Sequence, residues 1–184
     1  MRVECPWDRE QDERSIVPHT VEEAYELADA AHSGDDAKLV DELGDVLFQV
    51  YFLALLLEER QAGSLDAVAE QLIAKLIRRH PHVFGEAEAA TAADVVKTWG
   101  AVKRDQERGG EIFGELPEVL PSTLYAKKVL KRARAAGAGD PEGDGHGEAL
   151  LEAVRAAVDA GVDPELELRR AADRYREQVE RQAT

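Results

Sequence analysis

The chain has 184 residues, of which 44% are hydrophobic and 33% charged, a composition that excludes a disordered chain and fits a globular protein. The formal net charge of −15 argues against binding to polymeric nucleic acid, which needs a basic surface. The single cysteine, Cys5, excludes an intrachain disulfide and favours a reducing cytoplasm. The first ten residues lack the apolar region of a signal peptide, and the longest apolar run, residues 46–57, is too short to span a bilayer. We therefore expect a cytoplasmic protein without membrane association.

The first part of the chain predicts two long helices joined by a short turn. Residues 1–18 read as irregular or as a short entry segment. A helix is expected from about residue 20 to 33, with Thr20 as N-cap and Glu23 completing a capping box. Gly34 ends this helix, and a second one follows from about residue 36 to 61. The second helix is apolar on every side, which one chain with few helices could hardly cover. We therefore expect a bundle that a second chain completes.

The rest of the chain also predicts helices. One is expected at about residues 65–80 with Ser64 as cap, one after Thr91, and one from near Ser122. The stretch "GAGDPEGDGHG" is typical of a flexible linker, and two more helices follow it, separated near residues 161–164. No segment alternates like a strand. The predicted fold class is all-α, a helical bundle whose four-helix core is completed by dimerisation.

Acidic side chains cluster at one end of the predicted hairpin of the first two helices. Glu22, Glu23 and Glu26 form an E-E-x-x-E pattern, and Glu42 and Asp45 an E-x-x-D pattern. Spacings of three and four residues bring side chains together on one flank of a helix. If the two helices pack antiparallel, four or five carboxylates face each other. Taken singly, each of these acids is explained more simply by helix capping or a solvated flank. The shared site is favoured by the joint pattern, because both acidic groups lie at the same end of the predicted hairpin.

Carboxylates packed together repel one another, so the pattern predicts a positive partner. Hard divalent cations suit ligands that offer only oxygen, and Mg²⁺ keeps positions open for water and phosphate oxygens. The sequence therefore indicates a site for Mg²⁺, with Mn²⁺ as a substitute, that could bind a triphosphate.

Five motifs resemble, in order, the MazG-type nucleoside triphosphate pyrophosphohydrolases: "CPWDREQ", "EEAYELADA", "DELGDVLFQVYF", "KLIRRHPHVFG" and the W…K pair of "TWGAVK". The resemblance covers roughly residues 5–137. It implies an all-α, dimeric, Mg²⁺-dependent enzyme that cleaves nucleoside triphosphates between the α and β phosphates. The products are the monophosphate and pyrophosphate, and the family is linked to cleansing of nucleotide pools.

The resemblance also implies roles for particular residues. Glu23, Glu26, Glu42 and Asp45 match the metal ligands, and Glu22 and Glu23 are the candidates for activating the attacking water. The candidate nucleotide contacts are Lys75, Arg78, Arg79, Trp99 and Lys103. Core packing of Trp99, and favourable placement of the basic residues at a helix C-terminus, are simpler interpretations of the same positions.

The resemblance suggests three segments: a catalytic helical domain at residues 1–136, a glycine-rich linker at 137–147, and a helical tail at 148–184 that resembles the end of an eroded second copy. One alternative is a catalytically silent helical dimer that binds nucleotide or a partner protein. Another is a di-iron or di-manganese bundle protein. The latter scheme needs paired E-x-x-H motifs, and the sequence contains none.

Overall fold

The computed structural model describes residues 2–107 and 111–183, and the predicted all-α class is confirmed, since these residues form helices and no strand. The helices are α1 (Pro6–Glu10), α2 (Glu13–Ser33), α3 (Asp36–Glu59), α4 (Leu65–Arg79), α5 (Pro81–Phe84), α6 (Ala92–Glu107), α7 (Ser122–Ala135), α8 (His146–Asp159) and α9 (Pro164–Ala183). In the described part of the chain, no helix combines the length and the apolar character needed to cross a membrane.

The chain divides into two compact units, Met1–Glu88 and Ala89–Thr184. The first unit holds α1 to α5, and the second holds α6 to α9. The sequence-based division around residues 137–147 remains a prediction.

The α2–α3 hairpin is the centre of the first unit. Gly34 adopts the left-handed conformation (φ 73°) that ends α2, and the Asp35 side chain accepts hydrogen bonds from the Ala37 and Lys38 amides to start α3. Ile16 of α2 packs with Phe52 and Leu56 of α3 in the buried core cluster of this unit. The helices are thus antiparallel, joined by a turn at one end and by apolar packing at the other.

The start of α2 differs from the prediction, which placed Thr20 at the N-cap. The cap is Asp12, whose carboxylate accepts from the Ser15 amide at 2.8 Å, while the Asp12 amide donates to Ser15 Oγ at 3.0 Å. The helix continues through Pro18, which forgoes one backbone hydrogen bond because proline has no N–H. Thr20 lies inside the helix, so Glu23 completes no capping box, and the capping interpretation of that glutamate was wrong.

Ion pairs connect the N-terminal segment to the open end of the hairpin, which is the end opposite the Gly34 turn. The Arg2 guanidinium donates to both Glu59 carboxylate oxygens, at 2.9 and 2.6 Å, and to the carbonyls of Asp8 and Gln11. Arg60 pairs with Glu13 at 2.7 Å. These contacts join the start of the first unit to the end of α3. Residues 2–18 contain α1 and the first turns of α2, so the expectation that this segment is irregular was wrong for them.

The other predicted helices are confirmed within one or two residues. Ser64 caps α4, and Thr91 begins α6 with a capping box to Asp94. In the second unit α7 packs against α8 and α9. Lys127 pairs with Asp163, and Arg134 with Asp159. Basic residues of α7 therefore contribute two ion pairs to this packing.

Replacing Asp12 by alanine tests where α2 begins. Loss of the cap is expected to lower the free energy of unfolding by about 1 kcal/mol. Thr20→Ala is the control, because an alanine within a helix is expected to change stability by less than about 0.5 kcal/mol. Urea denaturation measures both variants. If Thr20→Ala lowered the free energy of unfolding more than Asp12→Ala does, residue 20 would be the N-cap after all.

Candidate metal centre

Three glutamates converge midway along the α2–α3 hairpin. One carboxylate oxygen from each of Glu23, Glu26 and Glu42 lies within 4.8 Å of the other two. Glu23 and Glu26 stand three residues apart on α2, and Glu42 comes from α3. Glu42 is buried, at 9% exposure, whereas Glu23 is half-buried and Glu26 exposed. The site is therefore closed to solvent at Glu42 and open to solvent at Glu26.

The electrostatics of this cluster disfavour its fully ionised state. The pKa of Glu23 is raised mainly by desolvation, and the charge of Asp45 is the second-largest cause. Desolvation is also the largest cause that raises the pKa of Glu42. The negative charge of Glu26 raises it further, whereas the positive charge of Lys38 lowers it. Both glutamates therefore hold a proton more tightly than an isolated carboxyl would.

A divalent cation fits this arrangement. Glu42 Oε2 is a buried carboxylate oxygen without a hydrogen-bond partner, which is costly unless something positive approaches it. The donor atoms are all carboxylate oxygens, as hard cations prefer, and the open side leaves room for water or phosphate oxygens. Glu23, Glu26 and Glu42 are thus the residues that could hold the ion. Among the described residues, this is the group of acidic side chains close enough together to hold a metal ion.

Asp45 and Glu22, the other two predicted acids, lie beside the group of three. Asp45 is exposed, and its charge raises the pKa values of both Glu23 and Glu42. The Glu22 side chain is 66% exposed, and its Oε2 lies 3.9 Å from His19 Nδ1. Their roles in binding the metal or activating water remain predictions.

The predicted nucleotide contacts divide between the two units. Lys75, Arg78 and Arg79 lie in the last turns of α4, in the same unit as the acids. Trp99 and Lys103 lie on α6, in the second unit. All five assignments remain predictions.

Sequence reasoning assigned no role to three residues near the acids. Trp7 and His19 form an edge-to-face aromatic pair with ring centroids 6.3 Å apart, and His19 approaches Glu22. Gln49 is buried at 5% exposure, and its Oε1 has no hydrogen-bond partner. The available signal for Gln49 was a polar residue inside an apolar run, one turn beyond Asp45.

The fold and the site define an all-α protein with a carboxylate centre between antiparallel helices. Residues 11–84 match the family described as "MazG nucleotide pyrophosphohydrolase domain". The chain therefore carries a MazG domain, which confirms the resemblance found in its motifs. This match covers α2 to α5 and includes all five acids.

Several bacterial proteins are similar to this chain. The nucleoside triphosphate pyrophosphohydrolase/pyrophosphatase MazG of Thermotoga maritima is 41% identical over 115 residues, which cover 62% of this chain and 43% of that protein. The nucleoside triphosphate pyrophosphohydrolase of Escherichia coli is 40% identical over 102 residues, or 55% and 39% of the two chains. An uncharacterized 26.1 kDa protein of Streptomyces cacaoi is 43% identical over 109 residues, or 58% and 45%. The matched region thus spans less than half of each of these relatives.

The raised pKa values predict the effect of Glu42→Gln on the metal-free protein. Folding raises the pKa of the Glu42 carboxyl, so its ionised form destabilises the folded protein at neutral pH. The folded protein therefore becomes more stable as the pH falls through the raised pKa and the carboxyl is protonated. We expect Glu42→Gln to raise the melting temperature at pH 7 and to reduce the gain seen on acidification to about pH 5. Differential scanning calorimetry in chelator measures both.

Asp41→Asn is the matched control, since it removes the same charge from an exposed neighbour on another face of α3. Its effect should be smaller, because Asp41 is the last of the causes that raise the pKa of Glu42. A lower melting temperature for Glu42→Gln would show that Glu42 stabilises the metal-free fold.

Proposed function

We propose that this protein is a Mg²⁺-dependent nucleoside triphosphate pyrophosphohydrolase that releases the monophosphate and pyrophosphate from NTPs or dNTPs. The observation that carries the proposal is the convergence of Glu23, Glu26 and Glu42 within 4.8 Å, inside the region that matches the MazG domain. The names of the Thermotoga maritima and Escherichia coli relatives support the same reaction class. Mn²⁺ is proposed as a substitute for Mg²⁺.

The acidic residues have two roles in this proposal. Glu23, Glu26, Glu42 and Asp45 hold the ion, which when bound supplies positive charge to the phosphate oxygens. Glu22 or Glu23 accepts the proton of the water whose oxygen attacks the α phosphorus, as the bond to the bridging oxygen breaks. The raised pKa of Glu23 favours proton acceptance nearer neutral pH.

The basic residues at the end of α4 neutralise the charge of the departing pyrophosphate. Lys75 and Arg78 are exposed there, and Arg79 is half-buried. Trp99 and Lys103 stay candidate nucleotide contacts, as the resemblance implies. Catalysis in this scheme is mainly positioning and electrostatic stabilisation, since phosphoryl transfer asks little covalent chemistry of the protein. Cleansing of the nucleotide pool in the cytoplasm is the cellular role that we propose.

The proposal predicts the outcome of a pyrophosphate-release assay on the eight common NTPs and dNTPs with Mg²⁺ or Mn²⁺. The wild-type chain should release pyrophosphate, and chelator should stop it. Glu23→Gln and Glu26→Gln should each lower kcat at least about 100-fold, because each removes an oxyanion that holds the ion. Circular dichroism should show unchanged helicity.

Asp41→Asn is again the control, expected to retain turnover within about twofold, because Asp41 is exposed and is not one of the residues that could hold the ion. Release of orthophosphate would reject the reaction class. Binding of nucleotide without turnover would favour the silent dimer. Iron binding with an oxo-bridge absorbance would favour the di-iron alternative.

We further propose that the protein is a homodimer formed through α3 and α4. On the side of α3 away from the acids, Leu43, Leu47 and Val50 share one stripe and are 50%, 54% and 41% exposed. On α4, Leu72 and Ile73 are 51% and 55% exposed. Apolar side chains grouped in this way mark an interaction surface, and a second copy offers a surface of the same character.

Leu47→Asp tests the dimer. A charge in the middle of this stripe should dissociate it, because burying an unpaired carboxylate is costly. Light scattering after size-exclusion chromatography should show a shift from two chains to one. Val162→Asp, at an exposed valine of the second unit, is the control and should leave the mass unchanged. A wild-type monomer would contradict the proposal.

A further inference from the structure

Three helices of the second unit enclose an apolar groove of about 770 Å³, which we name the α7–α9 groove. Its floor is the start of α7, and its walls are α8 and the first two turns of α9. Apart from Ser122, Thr123 and Glu167, the lining residues are apolar or glycine. The ion pairs Lys127–Asp163 and Arg134–Asp159 connect the three helices without lining the groove. The groove is thus a stable feature of one unit.

The α7–α9 groove has the shape of a site for a helix. On α8 its lining residues run from Gly147 to Ala157, which corresponds to about 15 Å of helix. Leu150 and Leu168, one on each wall, are 70% and 61% exposed, so the groove is open to solvent along its length. Small molecules bind mainly in sites that bury most of their surface, whereas an open groove of this length fits one face of an amphipathic helix.

The lining side chains are mostly small, which indicates what the bound helix must supply. Ala126 lies on the floor, Ala153 and Ala157 on one wall, and Ala171 on the other. Alanines leave depth between the helices for large side chains of a partner. A fourth helix with leucine-sized residues at spacings of three and four would therefore fill the groove and complete a four-helix bundle.

The sequence along the α8 wall is strongly acidic. Residues 140–159 contain six acidic residues and one arginine, a net charge of −5 with His146 neutral. The arginine, Arg155, already pairs with Glu152 at 2.5 Å and with Asp159 at 3.3 Å. A helix that enters the groove therefore meets negative charge along this side, and basic residues on its flank would complement that charge.

We propose that the α7–α9 groove binds an amphipathic helix of a partner protein. The partner presents large apolar side chains to the groove and lysine or arginine to the α8 wall. Apolar contacts provide most of the affinity, and the charges fix the orientation of the helix. The inference does not depend on the proposed function, because the groove lies in the second unit and the three glutamates lie in the first.

Two synthetic peptides test the charge of the partner. Each has about 14 residues, with leucines at helical spacing on one face, and the flanks carry arginine in one peptide and glutamate in the other. Fluorescence anisotropy with the full chain should show that the arginine peptide binds at least about tenfold more tightly, because like charges repel at the α8 wall. Salt should reduce the difference. Absence of binding, or equal affinity of the two peptides, would overturn the proposal.

Leu150→Ser and Leu168→Ser test the position of the site. Each variant removes a leucine side chain from one wall of the groove and should weaken binding of the arginine peptide at least about fivefold. Val119→Ser is the matched control, since Val119 belongs to the same unit, is 93% exposed and does not line the groove. All three residues are exposed, so circular dichroism should show unchanged helicity. Equal weakening by the control would place the peptide elsewhere and contradict the proposal.

A third peptide distinguishes the partner protein from a second copy of this chain. Helix α9 itself carries exposed apolar residues, Tyr175 at 68% and Val179 at 46%, and its residues 164–183 have no net charge. Without a basic excess, a peptide of this sequence should bind at least about tenfold more weakly than the arginine peptide. If it bound as tightly, the occupant would be α9 of a second copy, and the proposal of a separate basic partner would be wrong.

Discussion

Packing at the two ends of the α2–α3 hairpin holds the carboxylates together against their mutual repulsion. At the open end, Ile16 is 1% exposed and packs on Phe52, which is 4% exposed. Burial of side chains of this size contributes about 1.5–3 kcal/mol each. At the closed end, the left-handed Gly34 and the Asp35 cap fix the turn. The acids lie between these two anchors and cannot separate without breaking one of them. Desolvation, together with the charges of the neighbouring acids, raises the pKa values of Glu23 and Glu42 as a consequence.

This constraint explains why acids stand at the edge of an apolar run. Helix α3 presents different stripes to different surroundings: one carries Glu42 and Gln49 toward α2, and another carries exposed leucines and a valine. A centre built in this way is repulsive without a cation, and a bound cation would offset that repulsion. The cost is stability, which proteins commonly give up at functional sites. The unpartnered oxygens of Glu42 and Gln49 are two places where that cost is visible.

Much of this arrangement could be read from residue spacing. Glu23 and Glu26 lie about as far before the turn at Gly34 as Glu42 lies after it. If the two helices are antiparallel, these spacings predict that the three side chains meet. The beginning of α2 could not be predicted in the same way, because Asp12–Ser15 and Thr20–Glu23 are competing capping signals and Pro18 favours the second. Tertiary packing decides between them: Ile16 reaches Phe52 only if the helix already runs through it. The exposure of Asp45 and the Trp7–His19 contact depend on side-chain conformation, which spacing does not determine.

The second unit shows a limit of composition as a guide to structure. The glycine-rich stretch separates α7 from α8 and α9 in the sequence. In the structure α7 nevertheless packs against both of these helices. Lys127 pairs with Asp163, Thr123 donates to Glu165, and Arg134 pairs with Asp159. Removing the tail would therefore leave the polar groups of α7 without these partners and expose the apolar surface between them. The helices that follow the glycine-rich stretch thus pack against α7, so the segment predicted to be a remnant contributes to the fold of the second unit.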